Sequence, residues 1–166
     1  LGTSTILMES LLHPEEVRPY VDFARRVGAA YAGLQVQAGA DAICIEDMAS
    51  SLDLVSPRIH AKLIHGAHER LIAEIGAPVI LHVCGGNTKI LDLLLTTGAR
   101  ALSLDAATDL AAAARRGTCA VIGGIPPVDV LLSGNLDQVR RAVRESISAG
   151  VDIVAPGCGI PPATPT

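Results

Sequence analysis

Five times along this chain a helical pattern gives way to a glycine, and an apolar strand begins one to three residues later: at Gly39, Gly76, Gly98, Gly117 and Gly150. A glycine just past a helix end is the expected terminator, because it takes the left-handed conformation without a Cβ penalty. Strands that alternate with helices imply βαβ units and a parallel sheet, since parallel strands need a crossover between them. The strands read as Ala42–Glu46, Val79–Val83, Ala101–Leu104, Ala120–Gly123 and Val151–Ala155. They are apolar almost throughout, as parallel strands covered on both faces should be. The helices read as Pro14 to Ala38, Pro57 to Ile75, Thr88 to Thr97, Thr108 to Arg116, and Asn135 to Ala149. Residues Leu1 to Leu12 read as irregular, and Gly124 to Gly134 as a loop with one short helical turn.

Two α/β architectures fit this rhythm: a doubly wound open sheet, or part of a (β/α)8 barrel. A full barrel takes roughly 200 residues or more, so 166 residues and five strands amount to an incomplete one. The hydrophobic share of 49% is high, yet no apolar run approaches the roughly 18 residues of a membrane span. A net charge of −4 without Lys/Arg clusters argues against a nucleic-acid surface. Cys44, Cys84, Cys119 and Cys158 have no tight spacing and read as reduced thiols rather than a disulfide framework. With no signal-like segment at the start, the expected location is the cytoplasm. The first residue is Leu rather than Met, so the chain is expected to be part of a longer protein.

In either architecture chemistry collects at the carboxyl ends of the strands. Those ends carry Glu46 and Asp47, then His82 and Cys84, then Asp105, then Cys158. Strand residues two apart share a face, so the His82 imidazole and the Cys84 thiol leave their strand side by side. Gly85 and Gly86 follow, with Asn87 or Thr88 as cap of the next helix. On that segment alone a buried histidine and a buried free cysteine explain the residues equally well. Cys158, between two glycines just after the last strand, adds a second thiol on the same rim. One His and two Cys are zinc-type donors, and three protein ligands with a fourth position open is the pattern of catalytic zinc.

The segments His82-Val83-Cys84-Gly85 with Asn87-Thr88, and Ala155-Pro156-Gly157-Cys158-Gly159-Ile160 with Pro162 and Thr164-Pro165, resemble the methylcobamide:coenzyme M methyltransferases of the uroporphyrinogen decarboxylase superfamily. The resemblance extends to the Ala38-Gly39-Ala40-Asp41 turn and the Ser103-Leu104-Asp105 strand end. Leu1-Gly2-Thr3-Ser4-Thr5 is similar to the family's Gly-Pro-x-Thr segment with the proline replaced. The resemblance implies a (β/α)8 barrel, of which residues 1–166 are the C-terminal portion as a single incomplete domain. It implies zinc on His82, Cys84 and Cys158, with Asp105 completing the shell or orienting His82. It further implies a thiol acceptor such as coenzyme M, a methylated corrinoid (methylcobalamin) as donor, and a corrinoid-carrying protein as partner. The alternatives are a tetrapyrrole decarboxylase of uroporphyrinogen decarboxylase type, working without metal, and a non-catalytic zinc-binding fragment.

Glu46 and Asp47 read either as catalytic, taking the substrate proton or facing the corrinoid, or as loop anchors. Gly85 and Asn87 belong to a stretch that can present helix N-terminal amides to an anionic group such as a sulfonate. His60, His65 and His68, among Lys62, Glu69 and Arg70, read as solvated or partly buried helix residues. His13 reads as exposed, Cys44 as core, and Cys119 as lying at the far rim.

Overall fold

The computed structural model describes residues 2–165. Among them a single five-stranded parallel sheet runs in the order β1-β2-β3-β4-β5. The strands are β1 Ile43–Glu46, β2 Val79–Val83, β3 Ala101–Leu104, β4 Ala120–Ile125 and β5 Ile153–Pro156. The helices are α1 Thr3–Leu12, α2 Pro14–Gln37, α3 Pro57–Ile59, α4 His65–Glu74, α5 Leu91–Leu95, α6 Leu110–Arg116 and α7 Leu136–Ser148.

The sequential strand order decides between the two architectures. A doubly wound sheet reverses direction at a switch point and carries helices on both faces. Here the order never reverses, and right-handed crossovers then place every helix on one face, as in a (β/α)8 barrel. Burial agrees. Ile43, Val79, Leu81, Val83, Leu102, Leu104 and Val121 pack with Ile72, Ile90, Leu91, Leu94 and Ala113 in one core beneath the helices. The alternate strand positions face away from the helices. Cys44, expected in the core, sits on that uncovered face and is exposed. Its apolar neighbours gave no sign of which face the helices would take.

Helix ends follow the glycines closely. Gly39, Gly98, Gly117 and Gly150 all take positive φ, whereas Gly76 does not. At α7 the expected cap is a full capping box, Asn135 with Gln138.

Two local expectations are corrected and a third is refined. Residues expected to be irregular form α1, because Leu7 packs against Val17, Val55, Ile59 and Leu63 and the buried Ser10 hydroxyl donates to the Ile6 carbonyl at 2.7 Å; Leu1 lies outside the described residues. The helix expected as one piece from Pro57 is broken by a π turn at His60–Ile64. Beyond Ile125 the loop carries the expected short helical turn, a π turn over Pro127–Leu132.

Candidate metal centre

The centre is assembled by sheet register. Glu46 pairs with His82 across β1 and β2, and His82 pairs with Ser103 across β2 and β3. Paired residues point to the same face, so all three side chains stand in a row on the helix-free face near the carboxyl ends of their strands. His82 is 7% exposed. Its Nδ1 lies 3.0 Å from the Ser103 hydroxyl oxygen and 3.1 Å from the Ser103 carbonyl. A carbonyl only accepts, so Nδ1 carries the proton and Nε2 keeps its lone pair. That lone pair faces the Cys84 sulfur at 3.2 Å.

Cys158 comes from the far end of the chain. Its sulfur lies 3.3 Å from that of Cys84. The approach depends on Gly157: a Cβ there would come within 3.0 Å of the Asp105 Cα and the Ala106 nitrogen. The Gly157 amide also donates to the Ile125 carbonyl at 2.8 Å, tying the loop to β4. The ligand atoms of His82, Cys84 and Cys158 all lie within 4.8 Å of one another. Burial, the neighbouring Cys158 thiol and the Asp105 and Glu46 carboxylates push the Cys84 thiol up to about 12. The Cys84 thiol, so placed, is poorly suited to ionise by itself. A cation relieves that, since a coordinating thiol is deprotonated outright. The donor set therefore fits a borderline-soft metal ion.

The other expected residues divide. Asp105 lies close enough to raise Cys84, but one of its oxygens accepts the Ala107 amide at 2.9 Å. Glu46, beside His82 in register, likewise acts on Cys84. Asp47 turns away from the centre: one carboxylate oxygen lies 2.9 Å from His68 Nε2, and the other accepts the Ser50 amide.

Asn87 does not present itself to a ligand. It is fully buried; its side-chain amide donates to the carbonyls of Val83, Cys84 and Gly85 and its side-chain oxygen accepts the Leu52 amide. Its backbone amide donates to the Thr108 hydroxyl, which itself donates to Gly85. Asn87 is a clamp that joins the loops after β1, β2 and β3 beneath Cys84, and its hydrogen-bonding capacity is used up there. Gly85, whose positive φ makes the turn, has its carbonyl occupied by the same clamp. Sequence reasoning missed Ser103 as the residue that fixes the His82 tautomer, although it lies two positions before Asp105 and so on the same strand face.

Comparison with known proteins follows the same lines. The family profile described as uroporphyrinogen decarboxylase matches residues 1–166. A methylcobamide:CoM methyltransferase, MtaA, from Methanosarcina barkeri is 31% identical over 148 residues, covering 87% of this chain and 44% of that protein. A second, MtbA, from Methanosarcina mazei is 32% identical over 162 residues, covering 95% of this chain and 48% of that protein. The chain thus spans about half the length of the curated relatives it matches. In structure it resembles a methyltransferase from Methanosarcina mazei, with a TM-score of 0.92 and 27% identity over 99% of this chain and 50% of that one.

Proposed function

This chain belongs to the uroporphyrinogen decarboxylase family, and on that footing we propose that it carries the zinc site of a methyltransferase that moves a methyl group from a methylated corrinoid to a thiol such as coenzyme M. The observation that carries this reading is the gathering of His82, Cys84 and Cys158 donor atoms within 4.8 Å at the strand ends. The relatives named as methylcobamide:CoM methyltransferases support the choice of reaction. Bound there, zinc keeps a thiol ionised and nucleophilic at neutral pH.

The chain's own residues do the rest. Ser103 holds His82 in the tautomer whose Nε2 is free to coordinate. The Asn87 clamp holds the Cys84 carbonyl at 2.6 Å and so fixes the main chain from which the Cys84 sulfur projects. Glu46, next to His82 in register, is placed to take the proton that the acceptor thiol loses. Asp105 serves as an additional ligand or as a group orienting His82. The helix-free face above these residues is where a corrinoid, brought by a carrier protein, approaches the acceptor sulfur. The four cysteines are unpaired, which fits the reducing cytoplasm. Among the described residues no helix is long and apolar enough to cross a membrane.

Residues 1–166 form one incomplete barrel domain in this reading. Two observations support it: the sheet has free edges at β1 and β5, and a stripe along α2 is uncovered. Tyr20, Phe23, Val27, Tyr31 and Leu34 are 51–63% exposed, and they include every aromatic side chain of the protein. Apolar surface of this kind marks an interface. We assign it to the seam on which further βα units close the barrel.

The test is elemental analysis of the intact polypeptide, with the further βα units that close the barrel, purified without chelator, together with methyl transfer from methylcobalamin to coenzyme M. About one zinc per protein, lost with activity in Cys84→Ser or Cys158→Ser, is expected. Protein with no zinc would defeat the reading, and zinc without transfer would leave only a structural site.

A further inference from the structure

The cysteines of this chain are not equivalent. The sheet register sets Ile80, Ala101 and Ala120 side by side. Cys44 pairs with Ile80, and Cys119 directly precedes Ala120. Cys84 lies further along, just past the end of β2. At about 3.3 Å of rise per residue, Cys44 and Cys119 stand roughly 13 and 16 Å below the rim that carries Cys84. The strands β2 and β3 also separate them from each other. The sulfurs of Cys84 and Cys158, by contrast, are 3.3 Å apart. Both residues are half-buried, so solvent species can reach the pair.

A disulfide holds its sulfurs at about 2.05 Å. Two thiolates on one tetrahedral zinc, each about 2.3 Å from the metal, are held roughly 3.8 Å apart. The 3.3 Å separation falls between the two, so a shift of roughly 1 Å reaches either arrangement. The two sides differ in their freedom to make it. Cys84 leaves the end of β2, and the Asn87 side chain holds its carbonyl at 2.6 Å. Cys158 sits in the loop after β5, between Gly157 and Gly159. The Gly157 amide is bound to Ile125, but a Cβ at Gly159 would meet nothing within 4 Å. The chain beyond Cys158 therefore has room to follow its sulfur.

We propose that Cys84 and Cys158 are a redox switch as well as metal ligands: a peroxide joins them as a disulfide, the metal leaves, and a dithiol reverses the change. The switch presupposes the metal reading above. In the first step the Cys158 thiolate attacks one peroxide oxygen; the O–O bond breaks, hydroxide departs, and the sulfur becomes a sulfenic acid. The Cys84 thiolate then attacks that sulfur and displaces a second hydroxide, forming the S–S bond. Two protons from solvent turn both hydroxides into water. The two sulfurs give up two electrons, and one peroxide takes them.

Placement decides that this ends in a switch rather than in damage. A sulfenic acid with no thiol near it is open to further oxidation to sulfinic acid, which a thiol reductant does not reverse. A second sulfur at 3.3 Å intercepts it first. Disulfide sulfurs carry no charge, so of the three donors only the His82 imidazole keeps its affinity for zinc. Catalytic zinc is held by three protein ligands, and losing both thiolates empties the site. Ser103 still fixes the His82 tautomer, and the Asn87 clamp binds carbonyls rather than the Cys84 sulfur. The frame of the site thus survives, ready to take the metal back once the bond is reduced.

The test uses the intact polypeptide, with its zinc content measured first by elemental analysis. Hydrogen peroxide is added at a few equivalents, and zinc release is followed with a chromophoric chelator. One zinc should be released for each Cys84–Cys158 disulfide, identified by mass spectrometry of a non-reduced digest, while Cys44 and Cys119 stay open to alkylation. Dithiothreitol, then its removal and added zinc, should restore the original metal content. The double variant Cys44→Ser with Cys119→Ser should respond as wild type does. Zinc retained after oxidation, release with sulfinic acid in place of the disulfide, a disulfide through Cys44 or Cys119, or metal content that reduction does not restore would each overturn the switch and leave the metal reading standing. Protein without zinc at the outset would defeat the metal reading, and the switch with it.

Discussion

Acid should unfold this protein partly through a single histidine. Burial, and then the charge of the neighbouring His68, hold the His60 imidazole down from its ordinary 6.5 to about 4. The folded protein therefore refuses a proton that the unfolded chain accepts. Between pH 6.5 and about 4 the unfolded state carries more bound protons, so stability rises with pH across that window and is lost as pH falls through it. His60 has no exposed surface, so solvent screening does not dilute the effect. At 1.36 kcal/mol per pH unit the difference amounts to about 3 kcal/mol, a large share of the roughly 5–15 kcal/mol that holds a domain together. His60→Phe keeps a ring against His68 and removes the titrating group. Urea unfolding of both proteins, followed by circular dichroism at pH 7.5 and pH 4, isolates the contribution, because carboxylate titration and metal release act on both alike. Wild type should lose about 3 kcal/mol more than His60→Phe between the two pH values. At pH 7.5 the variant should be no less stable, since it no longer buries two unsatisfied nitrogens. Equal losses in the two proteins would refute the reasoning, and with it the buried, neutral state of His60.

Asp105→Ala should weaken zinc binding less than either cysteine change, measured by competition with a chromophoric chelator, and should slow methyl transfer; an unchanged rate removes Asp105 from the site. Asn87→Ala breaks the clamp under Cys84 and leaves buried carbonyls without donors, so we expect a loss of about 2–3 kcal/mol in urea unfolding together with weaker metal binding; stability lost with metal affinity intact would confine Asn87 to the fold. Zinc affinity should fall as pH falls, because the ligands must shed protons to bind; an affinity independent of pH between 8 and 6 would exclude thiolate ligation. Residues 1–166 expressed alone should associate through the β1 edge and the α2 stripe, read as concentration-dependent mass in solution, whereas a monodisperse monomer active with methylcobalamin and a thiol would refute the incomplete barrel.

Much of this molecule is written locally. Gly39, Gly98, Gly117 and Gly150 mark helix ends because each supplies a positive φ that other residues avoid, and the strands after them are recognisable as short apolar runs. The pairing of His82 with Cys84 follows from the two-residue period of a strand. Asn135 announces α7 because its capping box closes within three residues. Each of these signals is complete within a few neighbours, so the sequence alone determines it. What the tertiary structure decided involves residues that meet only after the sheet forms. Cys158 reaches Cys84 across 74 positions because β5 ends on the same rim as β2 and Gly157 lets its loop close on Asp105. Ser103 fixes the His82 tautomer across 21 positions through strand register. Cys44 is exposed, and α1 is a helix, because of which sheet face the crossovers cover and what Leu7 finds to pack against. His60 and His68 are buried because one π turn rotates a helix that looks ordinary in its composition. Local propensity cannot encode such contacts: their energy lies in packing and register, which exist only once distant segments have been brought together.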